Sequence, residues 1–453
     1  MLNPDENTAE EEQPVPGIVR SFFGRYRHWL VPLGKLGSGQ ALTTLMSGLF
    51  GLLIVPNIEK KEFALYTLFA SLQQTISSFS DMGIGHAVIA VGAKYRNDQG
   101  LFAHLMQTIK VYRERLFAGS LLLGLILSSQ IFTKHDEPII RVLLCLALTA
   151  TTAWVIIHNQ MINGVLYLEE RFNVVSFVVP RSATIKLVLL FFCLATHMAG
   201  VIALLSINLI AESITHFQFR KYFKFPPRPP HDEGNAAIVR DHVKRYVRPM
   251  VAGSILFAIQ APLILWVLNG MGSSGDVANY GAISRLGQIT NFVTYLCTTL
   301  VITRMAKVDS RDAAKRLMLK LTIAQVAVLA SVVSVATLFT APLLHLLGPK
   351  YSSLHTEFHY FLASWTLWHL SSFFFMSLTG QGISKYQGVV NFFAITVQIA
   401  SIFIIGVTSA RTAFTLNIIY SSTMLLGQMS LVYMFMIRKP VESVEQPLEV
   451  KKA

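Results

Sequence analysis

Arg181, Lys186 and Arg285 sit in stretches otherwise built from apolar side chains, and Asp81 and Glu212 are the only acidic residues well inside such stretches. A charge at the centre of a bilayer costs ~3 kcal/mol on insertion scales, so residues of this kind face a wet cavity or an opposite charge. Three cations against two carboxylates favour an anionic ligand, because guanidinium groups match phosphate geometry and keep their charge. The opposing reading is a set of internal ion pairs in which Asp81 and Glu212 neutralise two of the three cations. Either carboxylate could also take up a proton, if burial raises its pKa more than a neighbouring cation lowers it. At ~100° per residue, Arg181 and Lys186 point about 140° apart and need not share a wall. Pro180 beside them is expected to bend that helix.

Only membrane-spanning helices can position such residues. The chain is 53% hydrophobic and 14% charged, whereas soluble domains carry roughly a quarter charged residues. An all-α integral membrane protein follows. Stretches long enough to span, needing ~20 apolar residues each, can be placed at 36–57, 63–91, 112–133, 138–161, 172–195, 199–219, 248–269, 278–303, 317–340, 355–379, 386–408 and 412–437. The second is long for one span, and "DMGIG" (Asp81 to Gly85) is expected to break it.

The net charge of +13 reads as loops facing an anionic leaflet rather than as nucleic-acid binding. Of 38 Lys and Arg, 29 fall in the two termini and the loops on their side, and six in the opposite loops (Lys60, Lys61, Lys134, Arg141, Lys350 and Arg411). Both termini are therefore expected to be cytoplasmic in a cytoplasmic (inner) membrane. Residues 1–35 form a tail with a possible interfacial helix at Arg20 to Leu30, and 36–219 a first lobe. Residues 220–247 are a basic linker stiffened by Pro226, Pro227, Pro229 and Pro230, 248–437 a second lobe, and 438–453 a tail. The halves also echo each other. "EFALYTLFASLQQ" from Glu62 and "DVANYGAISRLGQ" from Asp276 align Tyr66 with Tyr280 and Gln74 with Gln288. Two repeated six-helix lobes around a central cavity is a transporter architecture.

"KKEFALYTLFASLQQTISSFSDMGIGHAVIAVGAKY" (Lys60 to Tyr95) resembles the second-helix signature of Wzx-type polysaccharide flippases, in the multidrug/oligosaccharidyl-lipid/polysaccharide exporter superfamily. Glu62, Phe63, Tyr66 and Asp81 to Ile84 carry the likeness. "VANYGAISRLGQITNFV" (Val277 to Val293) is similar to the eighth helix of that family, and Leu346 to Gln387 to the stretch from the ninth helix into the eleventh. The resemblance implies a flippase moving polyprenyl-diphosphate-linked oligosaccharide from the inner to the outer face for exopolysaccharide, capsule or O-antigen assembly. Arg181, Lys186 and Arg285 would hold the diphosphate, and Asp81 and Glu212 would be counter-ions or ion-coupling groups. The partners would be that lipid-linked glycan, membrane lipids and polymerase or chain-length proteins, with no nucleic acid, cofactor or metal. Two departures stand out: Asn57 occupies a position often Arg in the family, and "VITRMAK" (Val301 to Lys307) lacks a family proline that would kink the helix.

A cation-coupled multidrug antiporter of the same superfamily would be expected to carry acidic residues at its cation site. A lipid II flippase would usually have fourteen helices rather than twelve. A membrane transferase would need an acid/base constellation, and His158 with Glu169 and Glu170 has no spacing that supports one. His86, Asn159, His216 and Gln260 read as helix-to-helix hydrogen bonders. Cys145, Cys193 and Cys297 have neither metal spacing nor an evident pairing. Charge asymmetry predicts that single cysteines at Ser273 and Ser310, in a background without the native three, label from opposite sides of intact cells. Equal labelling would break the twelve-helix topology.

Overall fold

The structure is a computed structural model. It describes residues 39–438, apart from Gly83, residues 224–232, Ala306, Lys307, Asp309, Gly382, Ser384 and Lys385. The 1–35 tail, the Pro226 to Pro230 cluster and nearly all of the 438–453 tail lie outside the described residues. Hydrocarbon offers the backbone no partners, so each apolar stretch satisfies its own amides as a helix. The helices are α1 (Gly39–Asn57), α2 (Lys60–Asp81), α3 (Ile84–Tyr95), α4 (Gln99–His135), α5 (Ile139–Leu168), α6 (Phe172–Ala195) and α7 (Val201–Tyr222). They continue as α8 (Glu233–Met271), α9 (Ser274–Met305), α10 (Arg311–Leu338), the short α11 (Thr340–Leu346), α12 (His355–Gly380), α13 (Gln387–Ile405) and α14 (Ala410–Val432). With α2 and α3 counted as one broken span and α11 as a surface turn, these elements are twelve transmembrane segments in two lobes of a multi-pass membrane protein.

Eight of the helices are long and apolar enough to cross a membrane on composition alone. α2, α9 and α12 are not among them, and packing explains why for α2. Twelve of its 22 residues are buried, whereas only 11% of the apolar window of α10 is buried. A helix sheathed by protein can carry more Thr, Ser and Tyr, and hence a lower mean hydropathy, than one facing lipid.

The expected interruption falls at Met82, which adopts a left-handed conformation with φ 36°. Asp81 Oδ1 accepts the Gly85 amide at 3.1 Å, so the residue that ends α2 also caps α3. α6 runs through Pro180 as one helix. Residues 233–247, read from sequence as linker, form the first turns of α8. Their apolar positions at four-residue spacing, Val239 and Val243, are buried against Tyr95, Phe219 and Phe223 of the first lobe. That burial holds the segment helical.

The repeat is visible in side chains. Asn208 of α7 donates to the Tyr66 hydroxyl at 3.5 Å, and Asn417 of α14 donates to the Tyr280 hydroxyl at 3.1 Å. The two tyrosine helices, α2 and α9, lie against each other across the lobe boundary, with Gly281 at the contact. A Cβ on Gly281 would stand 2.7 Å from Thr67 Oγ1 and 2.9 Å from Thr67 Cγ2.

The helix ends carrying the loops at 58–59 and 272–273 are termed the far end, and those nearest residues 224–232 the linker end. At the far end a single core joins the lobes, with Ile54, Phe63 and Leu72 of the first packed among Leu268, Ala278, Tyr351 and Phe414 of the second. Polar ties reinforce it. His135 bonds Asn269 at 2.8 Å and Ser274 at 2.9 Å, Lys134 donates to the Gly270 carbonyl at 2.9 Å, and Lys350 donates to the Ile58 carbonyl. At the linker end the cores are separate. One holds Val88, Val165 and Val178 of the first lobe with α8, and another holds Met305, Met318 and Leu378 of the second.

Within the first lobe's far end, Arg141 bridges Glu62 and Glu137, and Lys61 reaches Glu137 at 2.9 Å. Burial pushes the Glu137 carboxyl up, but hydrogen bonds from Lys61 and Arg141 outweigh it and hold it below the usual carboxylate range. A lowered carboxylate stabilises the fold above its unfolded pKa, and that contribution is lost as pH falls through the folded value.

Gly281→Val should break the close approach of α2 and α9. Overpacked interfaces cost ~1–3 kcal/mol, so the melting temperature of the purified protein should fall by several degrees and far-end cysteine pairs should cross-link more slowly. An unchanged melt and unchanged cross-linking would mean the contact is not needed for closure.

Candidate functional site

The five charged residues singled out from sequence occupy four places. Lys186 of α6 and Glu212 of α7 meet, with Lys186 Nζ 2.8 Å from Glu212 Oε1. The pair lies in a chain of polar side chains through the first lobe. Asn159 of α5 donates to the Glu212 carbonyl at 3.1 Å and to Glu212 Oε2 at 3.3 Å. The Asn159 amide oxygen in turn lies 3.0 Å from His216 Nδ1. Four polar residues thus stitch α5, α6 and α7 together inside the lobe.

Asp81 takes none of the three cations read as intramembrane. Its partner is Arg113 of α4, whose side chain is 3% exposed. Arg113 Nη1 also donates to the Ile157 carbonyl at 2.9 Å, so one guanidinium joins the α2–α3 break to α5. Gly85 makes room for the pair, since a Cβ there would stand 2.9 Å from both Arg113 Nη2 and Asp81 Oδ1. Sequence reasoning missed Arg113 by counting it among the basic loop residues at the start of α4. Its spacing from Asp81 carries no signal, because the contact joins two helices.

Arg285 stands at the lobe boundary. Its guanidinium carbon lies 5.5 Å from the centre of the Tyr66 ring, a cation–π distance. Gly51 of α1 leaves space for its stem, as a Cβ there would be 3.1 Å from Arg285 Cδ. The cation thus touches α1 and α2 of one lobe from α9 of the other. Tyr66 is the same residue that Asn208 bonds, so Arg285 rests on one member of the repeated Tyr–Asn pairs. A sequence signal for those pairs exists: "SINLI" (Ser206 to Ile210) and "TLNII" (Thr415 to Ile419) place a hydroxyl, an aliphatic and an Asn in the same order.

Arg181 is on the exposed face of α6, its guanidinium carbon 5.6 Å from the Phe177 ring centre. That face continues as Val188, Phe191 and Phe192, all more than half exposed. Arg181 and Lys186 point to different neighbours, as their 140° separation requires. Among the described residues, no carboxylate lies within ion-pair distance of Arg181 or Arg285. No group of His, Cys, Asp and Glu among them could hold a metal ion.

Removing one member of a buried pair leaves the other charge uncompensated, at a cost of about 3 kcal/mol or more. Asp81→Asn should therefore sharply lower the yield of folded protein, and Arg113→Met in the same chain should restore it. If Asp81→Asn melts like the wild type, Arg113 finds another partner and the pair does not hold the break.

No family model and no curated protein matches the chain. Solved structures do. A eukaryotic MATE transporter, AtDTX14, superposes with a TM-score of 0.61 at 12% identity, over 90% of this chain and 96% of that one. A MOP superfamily transporter from Pyrococcus furiosus gives 0.54 at 15% identity, over 89% and 94%. A single-residue mutant of the Vibrio cholerae MATE transporter VcmN gives 0.53 at 13%, over 92% and 98%. Twelve segments in two repeated lobes, joined at the far end and matched along nearly their whole length, make the fold of this chain that of the MATE transporters.

Proposed function

We propose that the protein is a transporter of the MOP superfamily that flips an anionic lipid, namely a polyprenyl-diphosphate-linked oligosaccharide of the kind handled by Wzx-type flippases. One observation carries this reading. Each intramembrane carboxylate already has its own cation, Asp81 with Arg113 and Glu212 with Lys186, while Arg181 and Arg285 have no acidic partner among the described residues. The charge left over for a ligand is positive, which suits a diphosphate and repels a cationic drug.

The separate cores at the linker end and the shared core at the far end support a state open on the linker side, and the Lys and Arg excess favours that side as the cytoplasmic one in an inner membrane. Both termini and the 220–247 segment would then be cytoplasmic, between lobes at 36–219 and 248–437. The diphosphate enters between the lobes and meets Arg285, whose planar fork bonds two phosphate oxygens. The polyprenyl tail remains in lipid along the exposed face of α6, where Arg181 bonds the phosphate nearest the tail. Release of the far-end ties and closure of the linker end would carry the headgroup across, for polymerase or chain-length proteins to use outside. Asp81 or Glu212 could couple this to an ion, since protonation would free Arg113 or Lys186 for phosphate. In this role the protein catalyses no reaction and needs no cofactor.

The neighbours favour a second reading, a cation-coupled multidrug antiporter, because AtDTX14 and VcmN are MATE transporters. The Pyrococcus furiosus protein is described as having a binding pocket of reverse polarity that suggests a different function. It supports the view that this fold accommodates either sign of charge. A lipid II flippase would share the anionic logic.

Vesicles holding the purified protein and a fluorescent lipid-linked diphosphate separate these readings. Arg285→Gln and Arg181→Gln should each slow flipping by about tenfold or more, the worth of a lost charge-assisted bond, with normal melting. Arg285→Lys should recover part of it. Proton- or sodium-driven ethidium efflux without lipid flipping would establish the antiporter instead.

A further inference from the structure

A groove of about 360 Å³, lined by Lys110, Trp154, Val155, His158, His216 and Arg220, lies between α4, α5 and α7 of the first lobe. Its position on the helices shows which way it faces. Ile140, Leu143 and Leu144 of α5 are 78%, 51% and 45% exposed at the far end. The lobes share one core there, so these side chains point to lipid and not to a cleft between lobes. Ala147 and Thr151 continue the exposed stripe, and Trp154 and His158 follow at the same helical face. The groove therefore opens onto the bilayer.

Its depth is equally telling. His158 is eighteen residues beyond Ile140, or about 27 Å along the helix at ~1.5 Å per residue. Arg220 is nineteen residues beyond Val201, about 28 Å. The hydrocarbon layer is about 30 Å thick, so Arg220 and His158 stand where the hydrocarbon of the linker-side leaflet meets its phosphates. Lys110 lies beside them on α4, 3.8 Å from the Glu114 carboxylate. The other titratable groups are cationic or imidazole, over an aromatic floor in which Trp154 lies between Phe117 and His158, ring centres 5.0 and 4.5 Å away and both tilted against it.

We propose that this groove binds the phosphate headgroup of an anionic glycerophospholipid of the linker-side leaflet, with an acyl chain along the exposed stripe of α5. Lys110 and Arg220 supply the charge, Trp154 the interfacial ring, and the imidazoles hydrogen bonds. His216 extends the effect inward. It lines the groove and also bonds Asn159, which bonds Glu212, the partner of Lys186. A lipid phosphate at His216 is thus one end of a hydrogen-bonded chain that crosses the lobe wall to the half-buried Lys186–Glu212 ion pair. This site does not depend on what the central cleft transports.

Trp154 reports on occupancy. In nanodiscs, phosphatidylglycerol brominated on its acyl chains should quench tryptophan fluorescence more than brominated phosphatidylcholine at equal mole fraction. The excess should vanish in Trp154→Phe and fall by about tenfold in lipid preference in Lys110→Gln/Arg220→Gln. Equal quenching by the two lipids, or a preference that survives the double substitution, overturns the proposal. If the double variant does not fold, the wild-type preference must weaken as salt is raised, and a salt-independent preference overturns it equally. Relief of quenching by farnesyl diphosphate well below the concentration of short-chain phosphatidylglycerol that achieves it would assign the groove to an isoprenoid diphosphate and reject the phospholipid.

Discussion

A charge in hydrocarbon must find either an opposite charge or water, and that requirement organises this molecule. Asp81 and Arg113 satisfy it across α2 and α4 at the point where α2 stops and α3 begins. Glu212 and Lys186 satisfy it across α6 and α7, with Asn159 and His216 sharing the load of the remaining lone pairs and protons. Once these two pairs are closed, each holds helices at a fixed spacing. The two cations that remain are bordered by aromatic rings, Tyr66 and Phe177, that tolerate a positive charge without cancelling it.

The lobes are held by apolar packing of a different kind. α2 and α9 approach closely because Gly281 has no side chain, and the far-end core then spans both lobes without interruption. Polar ties from His135, Lys134 and Lys350 end on backbone carbonyls and on single side chains of the other lobe. Bonds of that sort can be exchanged for water one at a time, whereas the packed Gly281 contact is made or lost as a unit.

Much of this was legible in the sequence. Apolar runs of about twenty residues located the helices, and "DMGIG" located the break, because both follow from one-dimensional patterns that hydrocarbon enforces. The Tyr66 and Tyr280 correspondence was readable too, and it proved to mark equivalent side-chain bonds. What sequence did not give was pairing. Glu212 with Lys186 stood among the possible pairs, but Asp81 with Arg113 depended on α4 rising past the α2–α3 break, which no spacing in either segment records. The helical nature of 233–247 was hidden for a similar reason. Its basic residues and neighbouring prolines read as a loop, while the burial of Val239 and Val243 comes from the first lobe's surface.

α8 carries a mechanical consequence. It bends by 42° between Gln260 and Pro262, and the arm from Glu233 to Gln260 is seated by Val239 and Val243 beneath the first lobe. Twenty-eight residues of helix make a lever of about 42 Å at ~1.5 Å per residue. A swing of about ten degrees at the bend would move the seated residues Val243 and Val239, 17 and 21 positions from Gln260, by about 4–6 Å, close to one helical turn. A tilt of the second lobe would thus pry at the floor of the first, with the bend at Pro262 as the fulcrum between the two halves.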